Sequence, residues 1–195
     1  SPDAAERSRC IAAAKAYVGR GLAIRERVFG SENLRVADSL TNLGILSESL
    51  GRAADSEAYF RRVLAVHEKL LGPETSMTAL TRANLGALLH IHGNEEEAEV
   101  MLRHALATQE KVLAPEHPDT VFPLSNLALT MRARGQPQAA IDLLVRALRV
   151  TEKASGAEHA NAAGIRQNLG SMLAQLGRHD EALAEFNKAR EIREK

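Results

Sequence analysis

The triplet Asn-Leu-(Gly/Ala) stands at 42–44, 84–86, 126–128 and 168–170, so one short string returns at a constant spacing. A fixed period of this length constrains the fold more tightly than any composition. Each copy is one supersecondary unit that buries its apolar face only by stacking on its neighbours. The period extends beyond the triplet. Gly51, Gly93, Gly135 and Gly177 follow it, as do LAIRERVFG (22–30), LAVHEKLLG (64–72), LATQEKVLA (106–114) and LRVTEKASG (148–156). The expected organisation is a single array: a half-repeat or N-terminal capping helix over 1–30, then repeats over 31–72, 73–114, 115–156 and 157–195.

Each unit reads as two helices joined by a short turn. In the first helix Val36, Leu40, Leu43, Leu46 and Leu50 step by three or four positions and lay down one apolar stripe. Gly51 then supplies the left-handed conformation that closes a helix C-terminus. In the second helix Tyr59, Phe60, Val63, Leu64, Leu70 and Leu71 are expected to face inward, with an end near Gly72. Asn94 ahead of Glu95, Glu96 and Glu97 predicts a side-chain cap and an acidic first turn, and Pro137 suits the first turn of its helix. Gly44, Gly86, Ala128 and Gly170 share a slot in the first helix. Ser56, Ala98, Ala140 and Ala182 share one in the second, and Val63, Ala105, Ala147 and Ala189 another. Small residues at such slots let helix axes approach to about 8–10 Å. Arg9 stands where an inter-helix glycine is expected, which predicts one unbroken helix from about Pro2 to Phe29, capped by Ser1. Pro123, a few positions into a first helix, predicts a kink or a late start.

The composition agrees with a helical protein packed through small and aliphatic side chains: 45% hydrophobic residues, 3% aromatic ones and no Trp. Lys+Arg and Asp+Glu balance at 25 each, so neither nucleic acid nor an anionic membrane is an expected partner. No apolar run reaches the roughly 18 residues of a membrane span, and the N-terminus lacks the basic-then-apolar order of a signal peptide. Cys10 is the single cysteine, with no second thiol for a disulfide, metal or redox motif. A cytoplasmic location is therefore expected.

The Asn-Leu-(Gly/Ala) string, the inter-helix glycine, the alanine of the second helix, the (Ala/Val)-Leu pair and the closing Glu-Lys are all present in NLGALLHIHGNEEEAEVMLRHALATQEKVLAPEHPD (84–119). This pattern resembles the tetratricopeptide repeats, in the long form found in kinesin light chains, from about Cys10 onward. The resemblance implies an all-α fold, a right-handed superhelical solenoid of antiparallel helix pairs. The His-Pro that often opens a unit in that family survives as His117-Pro118, with His159-Ala160, Thr75-Ser76 and Asn33-Leu34 elsewhere. That departure is expected to touch loop geometry rather than fold.

In such arrays the first helix of each pair lines a concave surface, and the residue before the Leu-(Gly/Ala) pair looks into it. The resemblance thus makes Asn42, Asn84, Asn126 and Asn168 a candidate ladder of amides, each able to donate to and accept from an extended peptide backbone. Neighbours on the same face would supply specificity. In the central units these include Leu80, Ile91, Phe122 and Leu129, with His90 and Arg132 nearby; towards the ends they are mostly polar, as at Asp38, Ser49, Gln167 and Gln175. Two alternatives stand beside this reading. The asparagines could instead bond to a neighbouring helix or loop and set repeat geometry, and Leu80, Phe122 and Leu129 could be partly buried between adjacent first helices. The basic set by which some relatives hold chaperone C-termini is not found, so that partner class is not expected.

No catalytic constellation is legible. His90 and His92, two apart on a helix, point to different faces, and the other histidines lack metal-ligand spacing. No enzymatic activity, metal or cofactor is expected. The Glu-(Lys/Arg) pairs at 26–27, 68–69, 110–111, 152–153 and 194–195 read as a solvated face or as inter-repeat ion pairs. The expected function is an adaptor or scaffold that binds an extended peptide or a partner protein. The alternative is a sensor or regulatory region excised from a larger multidomain signalling protein. The open ends, with Phe186 and Ile192 on the last helix, are candidates for self-association.

Overall fold

The computed structural model describes residues 2–194, so the cap expected at Ser1 and the last lysine of the Glu-Lys series, Lys195, lie outside the described residues. Among the described residues the chain is all-α: α1 (Pro2–Phe29), α2 (Leu34–Ser49), α3 (Ala53–Leu71), α4 (Ser76–Ile91), α5 (Glu95–Leu113), α6 (Val121–Ala133), α7 (Pro137–Ser155), α8 (Ala160–Gln175) and α9 (His179–Arg193). The first helix runs unbroken through Gly19 and Gly21, as its spacing predicts. Two compact units result, Ser1–Leu85 and Gly86–Lys195, and the division falls inside α4.

In the first unit α1 packs on α2 and α2 on α3. Leu22, Val36, Ala37, Leu40, Leu43, Val63 and Val66 form its core, with Val18 and Tyr59 against them. In the second unit α5 to α9 each pack on the next helix, and Leu102, Leu124, Leu127, Met131, Leu144 and Met172 are fully buried. Leu70 departs from expectation and is 46% exposed. The buried stripe of α3 passes through Ser56, Phe60, Val63 and His67, and its next step falls on the half-buried Leu71.

The small-residue slots mark where paired helices touch most closely. A Cβ added at Gly44 would stand 2.7 Å from Cε2 of Phe60. At Gly86 it would stand 2.7 Å from Cγ of Leu102 and 3.2 Å from the Ala98 carbonyl, and at Gly170 2.8 Å from Cε1 of Phe186 and 3.1 Å from the Ala182 carbonyl. Ser56, in the alanine slot of the first pair, donates its hydroxyl to the Gly44 carbonyl at 3.0 Å, so its polar atom is satisfied within the same contact.

Helix ends follow a second rhythm, at half the repeat length. Positive-φ backbone returns at even spacing, at Gly30, Gly51, Gly72, Gly93, Ala114, Gly135, Gly156 and Gly177. Within each pair the closure is a Schellman motif. The N–H groups of Arg52, Asn94, Gln136 and Arg178 donate to the carbonyls of Ser47, Leu89, Met131 and Leu173 at 2.9–3.0 Å. Asn94 is thereby committed to the turn. Its backbone (φ −88°, ψ 71°) is not extended as a cap requires, and its amide donates to Glu97 at 2.9 Å instead of accepting from the backbone.

The caps lie one loop earlier, at the four residues that open the units. Asn33, Thr75, His117 and His159 accept from the N–H of Arg35, Thr78, Asp119 and Asn161 at 2.9, 3.3, 3.2 and 3.2 Å. Pro123 delays its helix as expected. A 3-10 turn occupies Pro118–Thr120, and α6 starts at Val121, leaving Pro123 in the first turn where its missing N–H costs nothing.

Ala114 alone among these positive-φ positions carries a side chain, at φ 99° and ψ 153°, a region open essentially to glycine. Replacing it with glycine relieves strain of about 1–3 kcal/mol against a smaller rise in unfolded-state entropy. Ala114→Gly is therefore predicted to raise the urea midpoint by the equivalent of about 1 kcal/mol. Gly86→Ala is predicted to lower it by a similar amount, because overpacking of about 1–3 kcal/mol exceeds the gain in helix propensity.

Candidate functional site

The close contact and the recurrent asparagine use different faces of the same helix. Leu43 and Gly44 are buried while Asn42 is exposed; Leu85, Leu127 and Leu169 are buried while Asn84, Asn126 and Asn168 remain half-exposed. Among the described residues, no group hydrogen-bonds the side-chain amides of Asn42, Asn84 or Asn168. Asn126 differs, since its Nδ2 donates to the Phe122 carbonyl of its own helix at 2.9 Å, leaving its carbonyl and one N–H.

The other sequence-selected residues divide between the units. In the first, Leu80 is exposed on α4 near Asn84. In the second, Ile91 and Phe122 are exposed, whereas Leu129 and Arg132 are half-buried on α6. His90 does not stand open. Its Nδ1 lies 2.7 Å from Glu95 Oε2, which ties the end of α4 to the start of α5.

Four of the five glutamates of the Glu-(Lys/Arg) series bridge helices, while Glu194 pairs with Arg190 at the end of its own helix. Glu26 meets Arg62 at 2.6 Å and Glu68 meets Arg82 at 2.6 Å in the first unit; Glu110 meets Arg146 at 2.5 Å and Glu152 meets Arg166 in the second. Arg82 is 6% exposed and also donates to the Pro73 carbonyl at 2.7 Å, while Arg166 also reaches Glu185 at 2.6 Å. Each of these two arginines lies just ahead of an asparagine, Arg82 before Asn84 and Arg166 before Asn168, and fixes the helix that presents it. Sequence reasoning missed both, because they return after two repeats rather than one; Leu40 and Leu124 fill the intervening copies. It also missed a cavity of about 330 Å³ around Asn42, lined by Arg25, Phe29, Arg35, Asp38 and Ser39, since two of these residues come from α1.

Among the described residues, no group of three or more His, Cys, Asp or Glu is placed to hold a metal ion. No described helix is long and apolar enough to cross a membrane.

Helix pairs of fixed period, closed by periodic positive-φ turns and packed through small residues, define a helical-repeat interaction fold. The chain belongs to the tetratricopeptide repeat family, whose model matches residues 46–111, 84–153 and 120–195. Among solved structures, the nearly identical TPR-like repeats named for a Podosopora anserina kinesin light chain superpose with a TM-score of 0.78 at 23% identity, covering 96% of this chain and 92% of that one. BtubC (BKLC) from P. vanneervenii gives 0.83 at 18% identity, covering 98% and 76%. MamA gives 0.64 at 18% identity, covering 90% and 86%. No curated protein matches the sequence. Tetratricopeptide folds generally mediate protein–protein interaction and scaffolding and are typically not enzymatic.

One titratable contact positions the exposed face of α4. His67 on α3 is 8% exposed, and its Nδ1 lies 2.8 Å from the Thr81 hydroxyl. Burial pushes its imidazole below the usual histidine range, and the charge of Asp38 acts in the opposite sense. The unfolded chain takes up this proton as pH falls through the ordinary imidazole range, while the folded chain resists until its lower pKa. His67 therefore contributes stability that is present above that range and lost on acidification. Between about pH 7 and 5, His67→Gln should lose less stability than the parent in urea titrations; equal losses would remove His67 as the cause.

Proposed function

We propose that this chain is a peptide-binding adaptor, whose exposed first-helix faces engage an extended segment of a partner protein. The observation that carries the reading is the set of amides at Asn42, Asn84 and Asn168 that bond to nothing in the described protein. A peptide backbone presents alternating donors and acceptors, and an unpaired carboxamide matches one of each. The exposed Leu80 of the first unit, and the exposed Ile91 and Phe122 of the second, are apolar anchors of the kind that give such contacts side-chain preference. A purely structural role for the asparagine would leave these amides without a purpose, since three of the four hold no neighbouring helix or loop. The interaction and scaffolding role general to tetratricopeptide folds supports the same conclusion.

The test is a displayed-peptide selection on the parent chain and on Asn84→Ala/Asn126→Ala, after both are shown to melt cooperatively as helical proteins. Each lost amide bond is worth about 0.5–1.5 kcal/mol, so the double variant should bind the parent's peptides about tenfold or more weakly. Selection of the same peptides with unchanged affinity would show that the asparagines do not touch the ligand.

A further inference from the structure

The pocket beside Asn42 is lined by two guanidinium groups, each in contact with a neighbouring side chain and neither paired with a carboxylate. Arg25 Nη1 donates to the Ser39 hydroxyl at 2.5 Å, and buried Ser39 in turn donates to the Arg35 carbonyl at 3.1 Å. The Arg35 guanidinium lies over the Phe29 ring, 4.9 Å from its centroid. Among the described residues, no carboxylate comes within ion-pair distance of either arginine. Arg62, Arg82, Arg146 and Arg166, by contrast, each meet a glutamate. Two guanidiniums without a carboxylate partner, one hydrogen-bonded and one stacked on a ring, line one cavity and can both turn to an anion.

The remaining lining residues select among anions. Asp38 brings one negative charge to the two arginines, so a monoanion neutralises the pocket and a phosphate dianion over-fills it. Phe29 is 43% exposed and offers its ring to methylene groups. Asn42, one helical turn beyond Asp38, presents an unpaired amide to a peptide group. A C-terminal carboxylate has no methylenes for Phe29 to cover and would end the backbone short of a run along α2.

We propose that this pocket binds the side chain of a glutamate within an extended peptide, with Arg25 and Arg35 on the carboxylate, Phe29 on the methylenes and Asn42 on the adjoining backbone. The proposal rests on the peptide-binding reading above and adds to it a residue preference and a position. Asp38 then limits affinity, because it competes for the same cations.

The probe is a random displayed-peptide library selected on the intact chain. The best peptide is then synthesised in its own form, with each Glu→Gln change, and with an amidated C-terminus, and binding is read by fluorescence anisotropy. One glutamate should be fixed in the enriched pool, and its change to glutamine should weaken binding about tenfold, the size of one charge-assisted hydrogen bond. Arg35→Gln, which removes no side-chain hydrogen bond to the described protein, should bind the Glu and Gln forms equally. Asp38→Asn should bind the Glu form more tightly than the parent does and leave the Gln form unchanged.

Peptides that depend on Asn84 and Asn126 but show no glutamate preference would overturn the proposal and leave the peptide-binding reading standing. A glutamate preference insensitive to both Arg35→Gln and Asp38→Asn would place the acid elsewhere, and loss on amidation alone would assign the pocket to a chain end; each overturns it. An empty selection overturns both readings.

Discussion

The approach of two backbones within a helix pair governs the rest of this chain. At Gly44, Gly86 and Gly170 a single added carbon would stand within 2.8 Å of a side-chain atom on the partner helix. At these three positions a side chain would force the partner helix to shift, and with Ala128 the small residue recurs at one slot, so each first helix meets its second helix along the same line. That line also decides which face remains. With Leu43 and Gly44, or Leu169 and Gly170, turned inward, the preceding asparagine faces away from the pair and its amide bonds to nothing in the described protein.

Turn geometry and electrostatics serve that arrangement at two different periods. Positive-φ backbone, returning twice in every repeat, closes each helix abruptly, so the connections are short and successive helices fold back on each other. Ion pairs then lock particular helices: Arg82 and Arg166, two repeats apart, each bind a glutamate across a helix interface and hold α4 and α8. Both are largely buried, and a buried charge left unpaired is costly, so these pairs specify position more than they add stability. The helices so fixed are those that carry Asn84 and Asn168.

Much of this fold was legible in the sequence because the repeat is a packing code. Gly51 and its equivalents in the later repeats announced helix ends, and Pro123 announced a delayed start. Single positions were less legible where two roles compete for one residue. Asn94 has the chemistry of a cap, but the turn before it takes its N–H and sets its backbone away from cap geometry. The true caps at Asn33, Thr75, His117 and His159 draw on three residue types that share only the ability to accept one hydrogen bond, so their alignment at the opening of each unit does not by itself announce a cap. The candidate site divides likewise. The asparagines stand out through repetition, whereas Arg25 and Arg35 occur once, on different helices, and only folding brings them beside Asn42. Repetition reveals what every unit needs, and it is silent on what one unit has alone.

The central claim is that the free face of the first helices, marked by unpaired amides, is where a partner binds. The most direct measurement is the side-chain amide region of the ¹⁵N–¹H correlation spectrum, followed while a peptide enriched by this protein is added. The account predicts saturable shifts of the Asn42, Asn84 and Asn168 carboxamide signals, while that of Asn94, already bonded to Glu97, stays in place. Saturable binding that leaves those three carboxamides unmoved would contradict it and place the partner on another surface.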